Sequence, residues 1–73
     1  MPNELTKLDK DIVLSLADND MNVSKVARAL YMHRNNVIYH LRKVKSLTGL
    51  DPMKFYDLCK LIQMIGGSEN GSA

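Results

Sequence analysis

The sequence lacks the features that mark membrane and secreted proteins. Its 73 residues include one cysteine, so no internal disulfide can form. Aromatic residues are few, with three tyrosines, one phenylalanine and no tryptophan. No apolar run approaches the roughly 18 residues that a membrane-spanning helix needs. The N-terminus, MPNELTKLDKD, is too polar for a secretory signal. These absences predict a cytoplasmic protein that makes no membrane contact.

Motifs of catalysis and metal binding are also absent from the sequence. It contains no glycine-rich phosphate loop, no Gly-x-Ser-x-Gly and no His-Glu-x-x-His. His33, His40 and Cys59 do not have the spacing of a zinc site. A chain of this length forms one small domain, which is too small for most self-contained active sites. We therefore predict that the protein is not an enzyme and has no cofactor, metal or small-molecule ligand.

Acidic residues are missing from the middle of the chain. Residues 21–50 hold six lysines and arginines and no aspartate or glutamate. Residues 1–20 hold two basic and five acidic residues, and residues 51–73 hold two basic and three acidic residues. The whole positive surplus therefore lies in the central thirty residues. Such asymmetry is typical of a surface that binds a polyanion, although a solvated basic face would give the same count.

Helical periodicity and capping residues predict four helices. Thr6, Asn22 and Asp51 are suitable N-caps, Pro52 suits the first helical position, and Gly49 suits a left-handed helix end. The helices are expected at about Thr6–Asp18, Val23–Leu30, Arg34–Leu47 and Pro52–Ile65, the last ending at Gly66-Gly67. No credible strand pattern remains. The prediction is an all-α, four-helix bundle over 1–65, followed by a flexible tail over 66–73.

Apolar residues at steps of three and four define the inward face of each long helix. The predicted faces are Leu5, Leu8, Ile12 and Leu16 on the first helix, Val37, Leu41 and Val44 on the third, and Phe55, Leu58, Leu61, Ile62 and Ile65 on the fourth. We interpret the carboxylates of the first helix as favouring solubility and the helix dipole. His40 is expected to be a partly buried helix residue, and Cys59 a small hydrophobe at a helix interface.

The second and third helices have the pattern of a helix-turn-helix. Such a motif needs a short bracing helix and a second helix that is aliphatic inside and polar outside. The outward stripe of the third helix predicts base contacts in the major groove by Asn35, Ile38, Tyr39 and Arg42. Charge and position predict phosphate contacts by Ser24, Lys25, Arg28, Arg34, Lys43 and Lys45.

The stretch ARALYMHRNNVIYHL, continuing to LTGLD, resembles the C-terminal helix-turn-helix of the PucR-type regulators of purine catabolism and sugar-diacid use. That domain is itself similar to the Fis-type DNA-binding domain. The matching residues are His33, Arg34, Asn35, Tyr39, Leu41, Leu47, Thr48 and Gly49. The resemblance covers about residues 8–65 and implies a DNA-binding transcriptional regulator.

The sequence departs from the family pattern at three positions. Asn36 replaces the usual threonine, His40 replaces the usual arginine, and Tyr31 stands where many such turns have glycine. The substitution at Tyr31 predicts a turn that is less tight or closed differently. Family members usually carry a sensor region before this domain, so the chain is either a free-standing regulator or a piece of a larger one.

Surplus apolar residues on the fourth helix predict self-association. Met53, Tyr56 and Met64 project away from its inward face, and Leu14 is similarly out of phase on the first helix. Helix-turn-helix proteins commonly pair across a two-fold axis, so we predict a homodimer through these residues. The alternative function is a protein-interaction adaptor that keeps the fold without binding DNA. Binding of structured RNA ranks lower because A-form major grooves are hard to read.

Overall fold

The computed structural model describes residues 5–70, and their side chains as far as Ile65. It contains four helices, α1 (Lys7–Asp18), α2 (Val23–Ala29), α3 (Arg34–Thr48) and α4 (Phe55–Asn70). No strand occurs within residues 5–70. The predicted all-α, four-helix architecture is confirmed, and the first three helices lie within one residue of their predicted limits.

Helix α1 begins with a capping box. The Thr6 hydroxyl accepts a hydrogen bond from the Asp9 amide at 3.1 Å, and the Asp9 carboxylate accepts one from the Thr6 amide at 2.9 Å. This confirms Thr6 as the N-cap and satisfies two amides that the first turn would leave unpaired. Leu8, however, is 40% exposed, whereas Val13 is fully buried. The inward face of α1 is therefore rotated slightly from the predicted stripe.

The turn between α2 and α3 closes in the way that a glycine turn does. Asn22 caps α2, since its side-chain oxygen accepts from the Lys25 amide at 3.1 Å. At the other end Tyr31 has φ +55°, and the Met32 amide donates to the Ala27 carbonyl at 2.8 Å. This is a Schellman ending with a tyrosine in the left-handed position that glycine usually occupies. The expected difference in closure at Tyr31 is therefore not found.

Helix α3 has the predicted inward stripe and the predicted end. Val37, Leu41 and Val44 are buried. Gly49 has φ +76°, and its amide donates to the Lys45 carbonyl at 2.8 Å, which ends the helix in the left-handed conformation.

The predicted beginning of α4 is wrong by three residues. Asp51 does not cap the helix but closes a turn, because its side-chain oxygen accepts from the Met53 amide at 2.9 Å and its carbonyl from the Lys54 amide at 3.0 Å. Pro52 lies in that turn, fully buried. Phe55 is consequently the first residue of α4 and is 63% exposed, not inward as predicted.

The predicted end of α4 at Gly66-Gly67 is also wrong, because the helix continues to Asn70. A glycine inside a helix costs about 1 kcal/mol relative to alanine, which weakens a helix without ending it. Residues 71–73 of the predicted tail lie outside the described residues, and the domain boundary after residue 65 stays a prediction.

The core lies around α1, which packs against each of the other three helices, while α2 also packs against α3. Its buried hydrophobic members are Ile12, Val13, Leu16, Val26, Ala27, Val37, Leu41, Val44, Leu58, Leu61 and Ile65. Because α3 rests on both α1 and α2, its opposite side is free to face another molecule.

Candidate nucleic-acid interface

The exposed face of α3 is polar. Asn35, Arg42 and Tyr39, the last 62% exposed, lie opposite the stripe that enters the core. Ile38 is partly buried and lines a groove with Leu41 and Arg42. The four residues predicted to contact bases therefore fall on or beside one surface, and three of them are well exposed.

The six cations of the acid-free segment fall into two groups. Arg28, Arg34 and Arg42 are exposed, and none of them forms an ion pair within the part of the chain that the structure describes. Each of the three lysines has a carboxylate nearby: Lys25 lies 3.9 Å from Asp20, Lys43 lies 3.0 Å from Asp9, and Lys45 lies 3.7 Å from Asp51. The arginines are therefore the cations most available to an outside anion.

The start of α3 differs from the starts of α1 and α2. His33 is the N-cap residue, but its side chain makes no hydrogen bond to the first turn. Amides at a helix start that lacks a side-chain cap are available to water or to an anion. Arg34 follows directly, so the beginning of α3 combines a positive dipole end with an exposed cation. Ser24, the neutral donor predicted for phosphate, is partly exposed on α2.

Asp9 is the feature that sequence reasoning missed. Its side chain is fully buried, not solvent-facing as expected. One carboxylate oxygen lies 2.7 Å from the His40 Nδ1 atom and the other 3.0 Å from the Lys43 Nζ atom. Burial raises the pKa of this carboxyl, but the hydrogen bonds from Thr6, His40 and Lys43 outweigh burial and lower the pKa from 3.8 to about 2. Asp9 therefore remains ionised inside the protein.

The Asp9 contacts change how two residues of α3 are interpreted. Lys43, predicted to contact phosphate, is only 28% exposed and is held by Asp9. His40 is partly buried, as expected, but it is also hydrogen-bonded to Asp9. Their spacing of three residues on α3 was the available signal, because it places both on one flank of the helix. The partner on α1 is 31 residues away from His40 and cannot be found from local spacing.

The apolar surface predicted for dimerisation is only partly as expected. Met53, Tyr56 and Met64 are exposed, by 44%, 79% and 58% respectively. Leu14 is partly buried and packs against the core, so less of it is available to a partner. Phe55 adds apolar surface that was not predicted, at the rim of a groove of about 410 Å³ that Met21 and the partly buried Cys59 also line.

The described residues contain no cluster of three or more histidine, cysteine, aspartate or glutamate side chains that would hold a metal ion. No described helix has the length and apolar character needed to cross a bilayer.

The fold and the surface together define a class of protein. A bracing helix, a tight turn and a second helix with an exposed polar and basic face constitute a helix-turn-helix domain. The sequence model of the PucR C-terminal helix-turn-helix domain family matches residues 11–62, and the chain belongs to that family. No curated protein and no solved structure matches the chain at a significant level. The family is one of DNA-binding regulator domains and is typically non-enzymatic.

Proposed function

We propose that this domain binds duplex DNA sequence-specifically, as part of a cytoplasmic transcriptional regulator, with α3 in the major groove. The observation that carries the proposal is the exposed stripe of Asn35, Tyr39 and Arg42, opposite the buried face of α3. Asparagine can pair with adenine through two hydrogen bonds, and arginine can do so with guanine. Ile38, beside this stripe, is suited to contact a thymine methyl group.

Phosphate contacts would supply most of the affinity. Arg28 on α2 and Arg34 at the start of α3 are exposed and lack a carboxylate partner among the described residues, so they can bind phosphate without first breaking an ion pair. Lys25 and Lys45 are paired loosely, at 3.9 and 3.7 Å, with exposed or partly exposed carboxylates. Such pairs are worth little in water and are easily exchanged for phosphate.

Salt-dependent binding tests this proposal. Fluorescence anisotropy of a labelled duplex from a random-sequence pool, titrated with the protein at several salt concentrations, reports the number of phosphates neutralised. About four to six contacts predict a slope of log affinity against log salt near −4 to −5. A control variant with Arg28→Gln and Arg34→Gln should have a slope smaller by about two. A slope of zero for the parent protein would contradict DNA binding and favour the adaptor function.

The domain is further proposed to act as a homodimer through α4 and the turn before it, in which Met53 lies. Four large apolar or aromatic side chains are exposed there: Met53, Phe55, Tyr56 and Met64. So much exposed apolar surface on a chain of 73 residues is typical of a contact site. A single recognition helix covers only a few base pairs. Pairing would place two copies of α3 in successive major grooves about 34 Å apart.

Sedimentation equilibrium at micromolar concentration tests the dimer. We expect a species of twice the monomer mass for the parent protein and a monomer for Met64→Glu, because a buried carboxylate opposes the contact. Asn36→Glu, at an exposed position on α3, is the matched control and should stay dimeric, because α3 does not pack against α4. A monomer for the parent protein would contradict the proposal and leave the apolar surface of α4 to a different partner.

A further inference from the structure

The buried Asp9 carboxylate joins two helices of the core, α1 and α3. It is fully buried on α1, and its two oxygens contact His40 and Lys43 on α3. The buried core to which α1 and α3 contribute contains aliphatic side chains such as Ile12 and Val37, which pack without directional bonds. Hydrogen bonds depend on angle as well as distance, so the Asp9 contacts restrict rotation of α3 about its own axis.

Rotation of α3 is the movement that matters most for its exposed face. Helical side chains extend to about 5–6 Å from the axis, so a rotation of about 10° displaces them by about 1 Å. A recognition site needs its groups held to within about 0.5 Å. Tyr39 and Arg42 each directly precede a residue that Asp9 holds, so fixing His40 and Lys43 also fixes the direction of these two neighbours.

The hydrogen bond between Asp9 and His40 also affects Tyr39 through the His40 ring. The rings of Tyr39 and His40 meet edge to face, with centroids 5.2 Å apart and planes at 80°. Asp9 therefore orients the His40 imidazole, and the imidazole supports one side of the exposed Tyr39 ring. No other aromatic ring contacts Tyr39 within the described part of the chain.

We propose that Asp9 is a positioning residue for DNA recognition, which sets the rotation of α3 and, through His40, the placement of Tyr39. This inference rests on the proposed function, in which duplex DNA is the ligand of α3. Asp9 would control selectivity without touching DNA. It would also withhold Lys43 from phosphate, which lowers non-specific binding.

The test begins with a selection of bound duplexes from a random 20-base-pair library by the parent protein. Affinities of the parent, Asp9→Asn and Asp11→Asn are then measured on the selected duplex and on a random duplex. Asp11→Asn is the matched control, because it makes the same change on the same helix but removes only the exposed pair with Lys7. For Asp9→Asn we expect the ratio of selected to random affinity to fall about tenfold, with no loss on the random duplex. Asp11→Asn should change the ratio by less than twofold.

A double-mutant cycle separates positioning from general stabilisation. Asp9→Asn and Tyr39→Phe are combined, and their effects on the selected duplex should fall short of adding, since both act through the Tyr39 side chain. His40→Asn is measured in parallel, because its side-chain amide can still donate to Asp9 whereas the ring beside Tyr39 is lost. It should also reduce the ratio, and it decides the proposal if Asp9→Asn does not fold.

The outcomes distinguish the two proposals. A parent protein that selects no sequence overturns the proposed function and this inference together. Selection by the parent with an unchanged ratio in folded Asp9→Asn and His40→Asn overturns the positioning role alone. Additive effects of Asp9→Asn and Tyr39→Phe would show that Asp9 does not act through Tyr39, which overturns that part of the proposal.

Discussion

Two flanks of α3 use the same kind of residue for different purposes. Arg42 and Lys43 are adjacent in the chain and lie about 100° apart around the helix. Arg42 is exposed and forms no ion pair among the described residues, whereas Lys43 is mostly covered and lies 3.0 Å from the buried Asp9. One cation is thus available to a ligand while its neighbour stabilises the fold. A count of positive charges treats the two alike, and only their surroundings separate them.

The largest expected effect concerns the covered flank of α3, which carries His40 and Lys43 and contacts Asp9. Asp9→Ala removes both the capping box and the contacts to His40 and Lys43. We expect the free energy of unfolding to fall by about 3 kcal/mol, near the lower end for a buried ion pair because Lys43 and His40 retain some access to water. Urea denaturation measures the change. Asp11→Ala, at an exposed pair on the same helix, should change the value by less than about 0.5 kcal/mol. Equal effects would remove the distinction between the two kinds of pair.

Acid should weaken the covered flank selectively. The pKa of Asp9 is lowered from 3.8 to about 2 in the folded protein, so between these values the unfolded chain binds a proton that the folded protein does not. The contribution of Asp9 is therefore fully present above about pH 4, falls as the pH drops towards 2 and is lost below that value. The shift corresponds to about 2 kcal/mol. Denaturation of the parent and of Asp9→Asn at pH 5 and pH 2 checks this, since their difference in stability should shrink at the lower pH.

The exposed flank should affect binding without affecting stability. Asn35→Ala and Arg42→Ala are each expected to lose about 1–2 kcal/mol of binding to the selected duplex, because each removes hydrogen bonds to a base edge. Both side chains are exposed, so thermal stability should hardly change. Ser46→Ala, further along the same exposed side, provides a control for binding. An unchanged preference for the selected duplex in Asn35→Ala would contradict the assignment of this face to DNA.

The smallest expected effect compares the two cations directly. Arg42→Gln should reduce the magnitude of the salt slope by up to about 1 if the side chain meets phosphate, and by less if it meets a base. Lys43→Gln should change the slope by less than about 0.3, since Lys43 is occupied by Asp9. Salt titrations of both variants with random duplex measure these values. A full unit of change for Lys43→Gln would mean that phosphate displaces Asp9 on binding.

Local signals predicted most of the fold and part of the candidate site. Thr6, Asn22 and Gly49 act on backbone groups within four residues, and such short-range bonds can be read from neighbouring sequence. The exposed stripe of α3 could also be predicted, because helical periodicity depends only on spacing along the chain. Asp51 shows where local signals fail to decide the structure. An aspartate before a proline suits both a helix cap and a turn, and here it closes a turn.

Two further local features differed from what the sequence predicted, the turn at Tyr31 and the exposure of Phe55. Tyr31 shows that the α2–α3 turn can close without glycine, because the surrounding hydrogen bonds hold its left-handed backbone and its side chain, 97% exposed, meets nothing that prevents it. The exposure of Phe55 followed from where α4 begins. Neither outcome changes the order or number of the helices, so the fold class was insensitive to both.

The sequence by itself determined four helices, the inward stripe of α3 and a central segment without acidic residues, because each depends on residue type and on spacing along the chain. Only the tertiary structure decided which cations remain available. Asp9 and Lys43 lie on different helices and meet only when α1 packs against α3, so the loss of Lys43 from the exposed positive surface is a property of the packed protein. Its physical cause is a buried carboxylate that, out of contact with water, is stabilised by the nearest donors of the neighbouring helix.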